Sequence, residues 1–100
     1  MGVVHTKKVF AKYFSQILSG KKTYEIRLAD WECNEGDVLE LIEIDDETKQ
    51  PTGRTVSKEI GTVIRTKDIE KLHWWPVEDV KEYGFQVISL VEKDESRKVD

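Results

Sequence analysis

The stretch Gly20-Lys21-Lys22-Thr23-Tyr24-Glu25-Ile26-Arg27 constrains this chain more than any other, because it joins a helical pattern to a strand pattern within a few residues. Upstream, Val3 to Phe10 predicts a first strand. Phe10, Phe14, Ile17 and Leu18 then recur at the three- and four-residue intervals that gather apolar side chains on one face of a helix over Ala11 to Ser19. Gly20 supplies the left-handed residue that commonly ends such a helix. Downstream, Thr23 to Arg27 alternates. On a strand, Thr23, Glu25 and Arg27 would share one face, leaving Tyr24 and Ile26 on the other as predicted core.

The remaining elements follow from the same signals. Leu28 to Glu35 reads as a polar loop carrying Trp31 and Cys33, and Gly36-Asp37 opens a strand over Val38 to Ile44 that is apolar on both faces at its centre. Such a strand suits burial on both sides. Asp45 to Gly53 reads as a hairpin loop with Pro51-Thr52-Gly53 as its turn signal, and Arg54 to Arg65 returns as one long strand or two bent near Gly61. A short helical turn is expected over Asp68 to Leu72. Pro76 to Tyr83 predicts a helix with Pro76 at its first position and Gly84 just past its end, and Phe85 to Val91 a closing strand. The expected fold is α+β, with about five or six strands, one main helix and one or two short helices; a small mixed β-barrel and a helix packed across an open sheet both fit this pattern, and strand counting does not settle closure. The domain is expected over residues 1–92, with 93–100 as a charged tail.

A chain of 100 residues holds one core rather than two. No apolar run approaches the roughly 18 residues that signal a membrane-spanning helix, and the opening Met1-Gly2-Val3-Val4-His5 lacks the apolar region of a signal peptide. Cys33 is the lone cysteine, so no intramolecular disulfide can form, and a cytoplasmic location is expected. His5, His73 and Cys33 have no second ligand at zinc-like spacing, so neither a metal nor another cofactor is expected. The net charge of −4 is unevenly spread. Up to Arg27 there are six basic residues against one acid, and beyond it ten against nineteen. That asymmetry permits a basic mouth on an acidic body, the feature that steers a polyanion, although solvated surface lysines would give the same composition.

The pattern G-x-K-x-x-E-x-R, filled by Gly20, Lys22, Glu25 and Arg27, resembles the signature of the ASCH domain family, small barrels related to the PUA-like RNA-binding fold. His5-Thr6-Lys7-Lys8 followed by Tyr13-Phe14, then Gly36-Asp37-Val38-Leu39-Glu40-Leu41 and Tyr83 to Leu90, look like a compact bacterial or phage-type subgroup of that family whose members are mostly uncharacterised. The resemblance covers residues 3–92. It implies the barrel, and a cleft between barrel and helices bordered by the motif strand.

Within that cleft Arg27 would offer a planar donor fork to a phosphate or base edge, and Glu25 would hold Arg27 or accept from an exocyclic amine. Lys22 would add a mobile charge, with Lys7, Lys8 and Thr23 beside it. A Glu25–Arg27 salt bridge that merely closes the barrel's end is the plainer alternative. Trp74 and Trp75 are candidate stacking platforms for bases, at most one of them being available. The function so implied is binding of single-stranded RNA or a nucleoside or nucleotide, with no membrane partner. The alternative is a small hydrolase acting on a modified nucleoside or RNA, with Lys22 and Glu25 as acid/base groups. Some ASCH proteins similar to this one hydrolyse an amide on a modified cytidine with a lysine, a threonine and a glutamate. Lys22 matches the lysine, but Glu25 stands where the threonine would be, Thr23 lies on the same predicted face without matching it, and a late glutamate would have to come from Glu78 or Glu82.

Overall fold

The computed structural model describes residues 2–67 and 75–92. Strand β1 (Val4–Phe10) leads into helix α1 (Ala11–Leu18), followed by β2 (Val38–Ile44), β3 (Pro51–Glu59) and helix α2 (Val77–Tyr83). The three strands form one sheet in the order β1-β2-β3. β1 and β2 run parallel, with Phe10 opposite Ile44, and β2 pairs antiparallel with β3. Parallel neighbours need a long crossover. Here residues 11–37 provide it, so α1 and the Gly20–Arg27 stretch both lie inside the β1–β2 connection.

The pleat and the helix period set the core. Val9 of β1 and Leu39 and Leu41 of β2 face one side of the sheet, where Phe14 and Ile17 of α1 cover them. Phe14 and Leu41 are fully enclosed, and Trp31, Val56 and Ile60 pack around the cluster. α1 ends at Leu18 and is capped by Ser19, whose amide reaches the Ser15 carbonyl, and Gly20 follows with a positive φ of 82°. At the opposite end of the sheet, Asp37 accepts from the Val3 amide at 3.0 Å, the Asn34 amide at 3.0 Å and His5 Nε2 at 2.8 Å, clasping the start of β1 to the start of β2.

The expected barrel is not formed: among the described residues the sheet is open, with three strands rather than five or six. Closure would require further strands on the outer edges of β1 and β3. Beside β1, the Lys8 carbonyl is taken by the Arg27 guanidinium instead of a main-chain amide. β3 is polar and exposed along nearly its whole length, with Arg54, Lys58 and Glu59 on it, as suits an edge strand. The competing sequence reading, a helix across an open sheet, describes what is observed.

Several local expectations change with it. Thr23–Arg27 and Phe85–Val91 carry no strand hydrogen bonding, and Ile26, expected in the core, is 69% exposed. Alternation predicts burial only where a neighbouring strand fixes the pleat. Pro51, Thr52 and Gly53 belong to β3 rather than to the turn, and β3 ends at Glu59 instead of reaching Arg65. Pro76 caps α2 instead of entering it. The expected helical turn at Asp68–Leu72, Trp74 and the tail 93–100 lie outside the described residues. No helix among the described residues is long and apolar enough to cross a membrane.

Candidate functional site

A cleft of about 720 Å³ opens where the carboxyl ends of the parallel strands β1 and β2 meet the segment that follows α1. Its lining comes from three directions: Lys8 and Phe10 from β1, Tyr13 from α1, and Lys22 with Tyr24 to Arg27 from the motif, with Ile44 and Lys49 closing the hairpin side. In open sheets built on parallel strands, ligands bind in the crevice outside the carboxyl ends of the strands.

Glu25 is the organising group on the motif side. Its Oε1 accepts from Lys22 Nζ at 2.8 Å and its Oε2 from Arg27 Nε at 2.9 Å. Lys22 Nζ also donates to the Tyr24 carbonyl at 3.0 Å and lies 4.8 Å from the Tyr24 ring centroid and 5.6 Å from that of Tyr13. Those contacts use two of the lysine's three donors and fix its position. Arg27 Nη2 donates to the Lys8 carbonyl, so the guanidinium is anchored at two of its three nitrogens while Nη1 keeps no acceptor among the described residues. Lys8 has an exposed ammonium with no side-chain partner among the described residues. The lining therefore holds four cations, Lys8, Lys22, Arg27 and Lys49, against the carboxylate of Glu25.

The hairpin wall is built by a second carboxylate. Register between β2 and β3 slips between Ile42 and Ile44, where Gly53 adopts a φ of 98° and Thr52, Gly53 and Arg54 stand opposite Glu43. Bulges of this kind often adjoin functional sites. Glu43 is buried and receives the Arg54 fork at 2.8 and 2.7 Å together with the Thr52 hydroxyl. The Arg54 hydrogen bond, then that of Thr52, holds the Glu43 carboxyl below its usual range, and Glu43 in turn raises the Arg54 guanidinium. Asp45 caps the turn, accepting from the Thr48 amide at 2.8 Å and the Glu47 amide at 2.9 Å, which lower its pKa. At the far end of the sheet, the His5 hydrogen bond and then the Val3 and Asn34 amides hold Asp37 down at about 2.

The structure thus brings together Lys8, Lys22, Glu25 and Arg27 of the sequence candidates and leaves others apart. Lys7 points to the opposite face of β1 and lies over Trp31, 4.1 Å from the ring centroid, where Trp31 also meets His5 at 5.1 Å. Thr23 does not line the cleft; its amide donates to Ser89 Oγ at 3.3 Å and its hydroxyl to the Leu90 carbonyl. Trp75 meets Phe85 edge to face, 5.8 Å between centroids, and is likewise not in the lining. Phe10, Tyr13, Tyr24 and Lys49 were missed as site residues. Phe10 reads as helix face and Tyr24 as core, Tyr13 enters only through the family resemblance, and Lys49 falls in the expected hairpin loop. Among the described residues, no three His, Cys, Asp or Glu side chains gather as a metal site requires.

The fold and cleft define a small open-sheet α/β domain with a basic, aromatic-lined crevice at the ends of its parallel strands. A family model described as a domain of unknown function, DUF3850, matches residues 4–77, which include every residue lining that cleft, and the chain belongs to this family. No curated protein and no solved structure matches the chain.

Proposed function

We propose that the cleft binds a phosphate-bearing nucleotide, free or within single-stranded RNA. The observation that carries this reading is the anchoring of Arg27: Glu25 and the Lys8 carbonyl fix the guanidinium in the cleft lining, while Nη1 and the Lys8 ammonium of the same lining have no acceptor among the described residues. A preorganised planar donor loses little freedom when it meets a phosphate. Phe10, Tyr13 and Tyr24 supply apolar surface for a base, and the cleft volume lies within the range of small-molecule sites, about 300–1,000 Å³. The likeness of Gly20, Lys22, Glu25 and Arg27 to the ASCH signature supports the same reading, carried here by an open sheet. The single thiol of Cys33 suits a cytoplasmic setting.

The geometry favours binding over hydrolysis by Lys22 and Glu25. Both Glu25 oxygens accept from cationic donors, and Lys22 is held as an ammonium donor to Glu25 and the Tyr24 carbonyl. Glu25 is therefore an orienter of Arg27 rather than a base facing water.

Calorimetric titration with a nucleoside 5′-monophosphate, the matching nucleoside and short oligoribonucleotides, at low and physiological salt, tests the proposal. Binding that needs the phosphate and weakens as salt rises is expected. Equal affinity for nucleoside and monophosphate, or none for either, would overturn it.

A further inference from the structure

Resting on that reading of the cleft, we propose that Lys49 is a ligand-gripping residue and Phe10 beneath it the stacking platform, so that the cleft takes one phosphorylated nucleoside unit rather than a tracked strand. Lys49 is the one non-glycine residue with positive φ among those described, at 63°. A residue with a Cβ is disfavoured there, and asparagine or glycine would be the usual occupant. The loop nevertheless holds it firmly. The Lys49 amide donates to the Asp45 carbonyl at 2.9 Å, the Asp45 amide to the Gln50 carbonyl at 2.9 Å, and Glu43 and Arg54 pin the strands below.

The result is a lysine delivered to the cleft from the wall facing the motif. Its ammonium lies 4.8 Å from the Phe10 ring centroid and donates to the Asp46 carbonyl. Phe10 ends β1 with 44% of its surface exposed, an apolar ring in the cleft lining with the Lys49 ammonium over its face. A base entering that face displaces the ammonium, and the long lysine stem carries it to the phosphate of the same nucleotide. Trp31 already packs with His5 and Lys7, Trp75 with Phe85, and Tyr13 and Tyr24 with the Lys22 ammonium, so among the described aromatic rings Phe10 is the platform next to Lys49.

The test compares wild type, Lys49→Asn and Arg27→Lys by calorimetry, using a nucleoside 5′-monophosphate, the nucleoside, and a tetraribonucleotide with and without a 5′-phosphate. Asparagine tolerates the left-handed backbone, so Lys49→Asn should melt no lower than wild type yet bind the monophosphate about tenfold more weakly, the loss of one charged contact. Monophosphate binding alone would mark a free nucleotide as the occupant. Equal binding of the phosphorylated tetramer would mark a strand end. Either outcome supports a single-unit site, whereas tighter binding of the unphosphorylated tetramer than of the monophosphate overturns it. Wild-type affinity in Lys49→Asn, with Arg27→Lys weakened, overturns the role of Lys49 while the nucleotide reading stands. Failure of wild type to bind any probe overturns both.

Discussion

Arg27→Lys separates a ligand-binding guanidinium from a merely structural one, because it keeps the charge and removes the fork. In the folded protein Nε is held by Glu25 and Nη2 by the Lys8 carbonyl, leaving Nη1 for a ligand. A single ammonium can satisfy Glu25 or reach a phosphate, but it cannot reproduce three directed contacts. Loss of one charge-assisted hydrogen bond costs about 1.5–3 kcal/mol, or roughly a 10- to 150-fold rise in Kd. The cost to folding is smaller. The Arg27 and Glu25 side chains retain 29% and 18% of their exposure, and a pair so placed contributes about 0–1 kcal/mol. For a domain this small that is a fall in Tm of at most about 8 °C. Calorimetric titration with a nucleoside 5′-monophosphate, beside a thermal melt of the same preparation, reads both quantities. Unchanged Kd in well-folded Arg27→Lys would refute the reasoning, because Nη1 would then have no ligand to meet.

Lys8→Ala should weaken monophosphate binding at least severalfold while Lys7→Ala leaves it unchanged, since one ammonium lines the cleft and the other lies on Trp31; calorimetry on the two single variants checks this. Phe14→Ala should cost about 3–5 kcal/mol by urea unfolding, because Phe14 is fully enclosed between α1 and the sheet. Asp37 titrates below its unfolded value, so its stabilising effect is complete above pH 3.8 and is lost as the pH falls toward about 2. Acid melts should therefore show the advantage of wild type over Asp37→Asn shrinking across that interval.

What was legible in the sequence follows the range of the forces involved. β1, α1 and β2 announce themselves because their periods reflect burial against close neighbours, as Phe14 and Ile17 do against Leu39 and Leu41. The Glu25–Arg27 pair was legible because two residues' separation leaves them within reach whether or not a strand forms. The barrel was not, since strand patterns carry no information on whether outer edges find partners, and the same gap hid the exposure of Ile26. Asp37 with His5 and Glu43 with Arg54 join residues brought together by register alone. Lys49 was hidden differently, its place in the cleft lining depending on a left-handed backbone that turn composition would assign to glycine or asparagine.

The central claim is that the crevice at the carboxyl ends of β1 and β2 is a phosphate-dependent nucleotide site. Amide chemical-shift mapping during titration with a nucleoside 5′-monophosphate tests it most directly. The account predicts saturable shifts at Lys8, Phe10, Glu25, Arg27 and Lys49, which are absent with the unphosphorylated nucleoside and leave the Trp31 and Asp37 end of the sheet unmoved. No saturable shift, or shifts centred on Lys7 and Trp31, would contradict it.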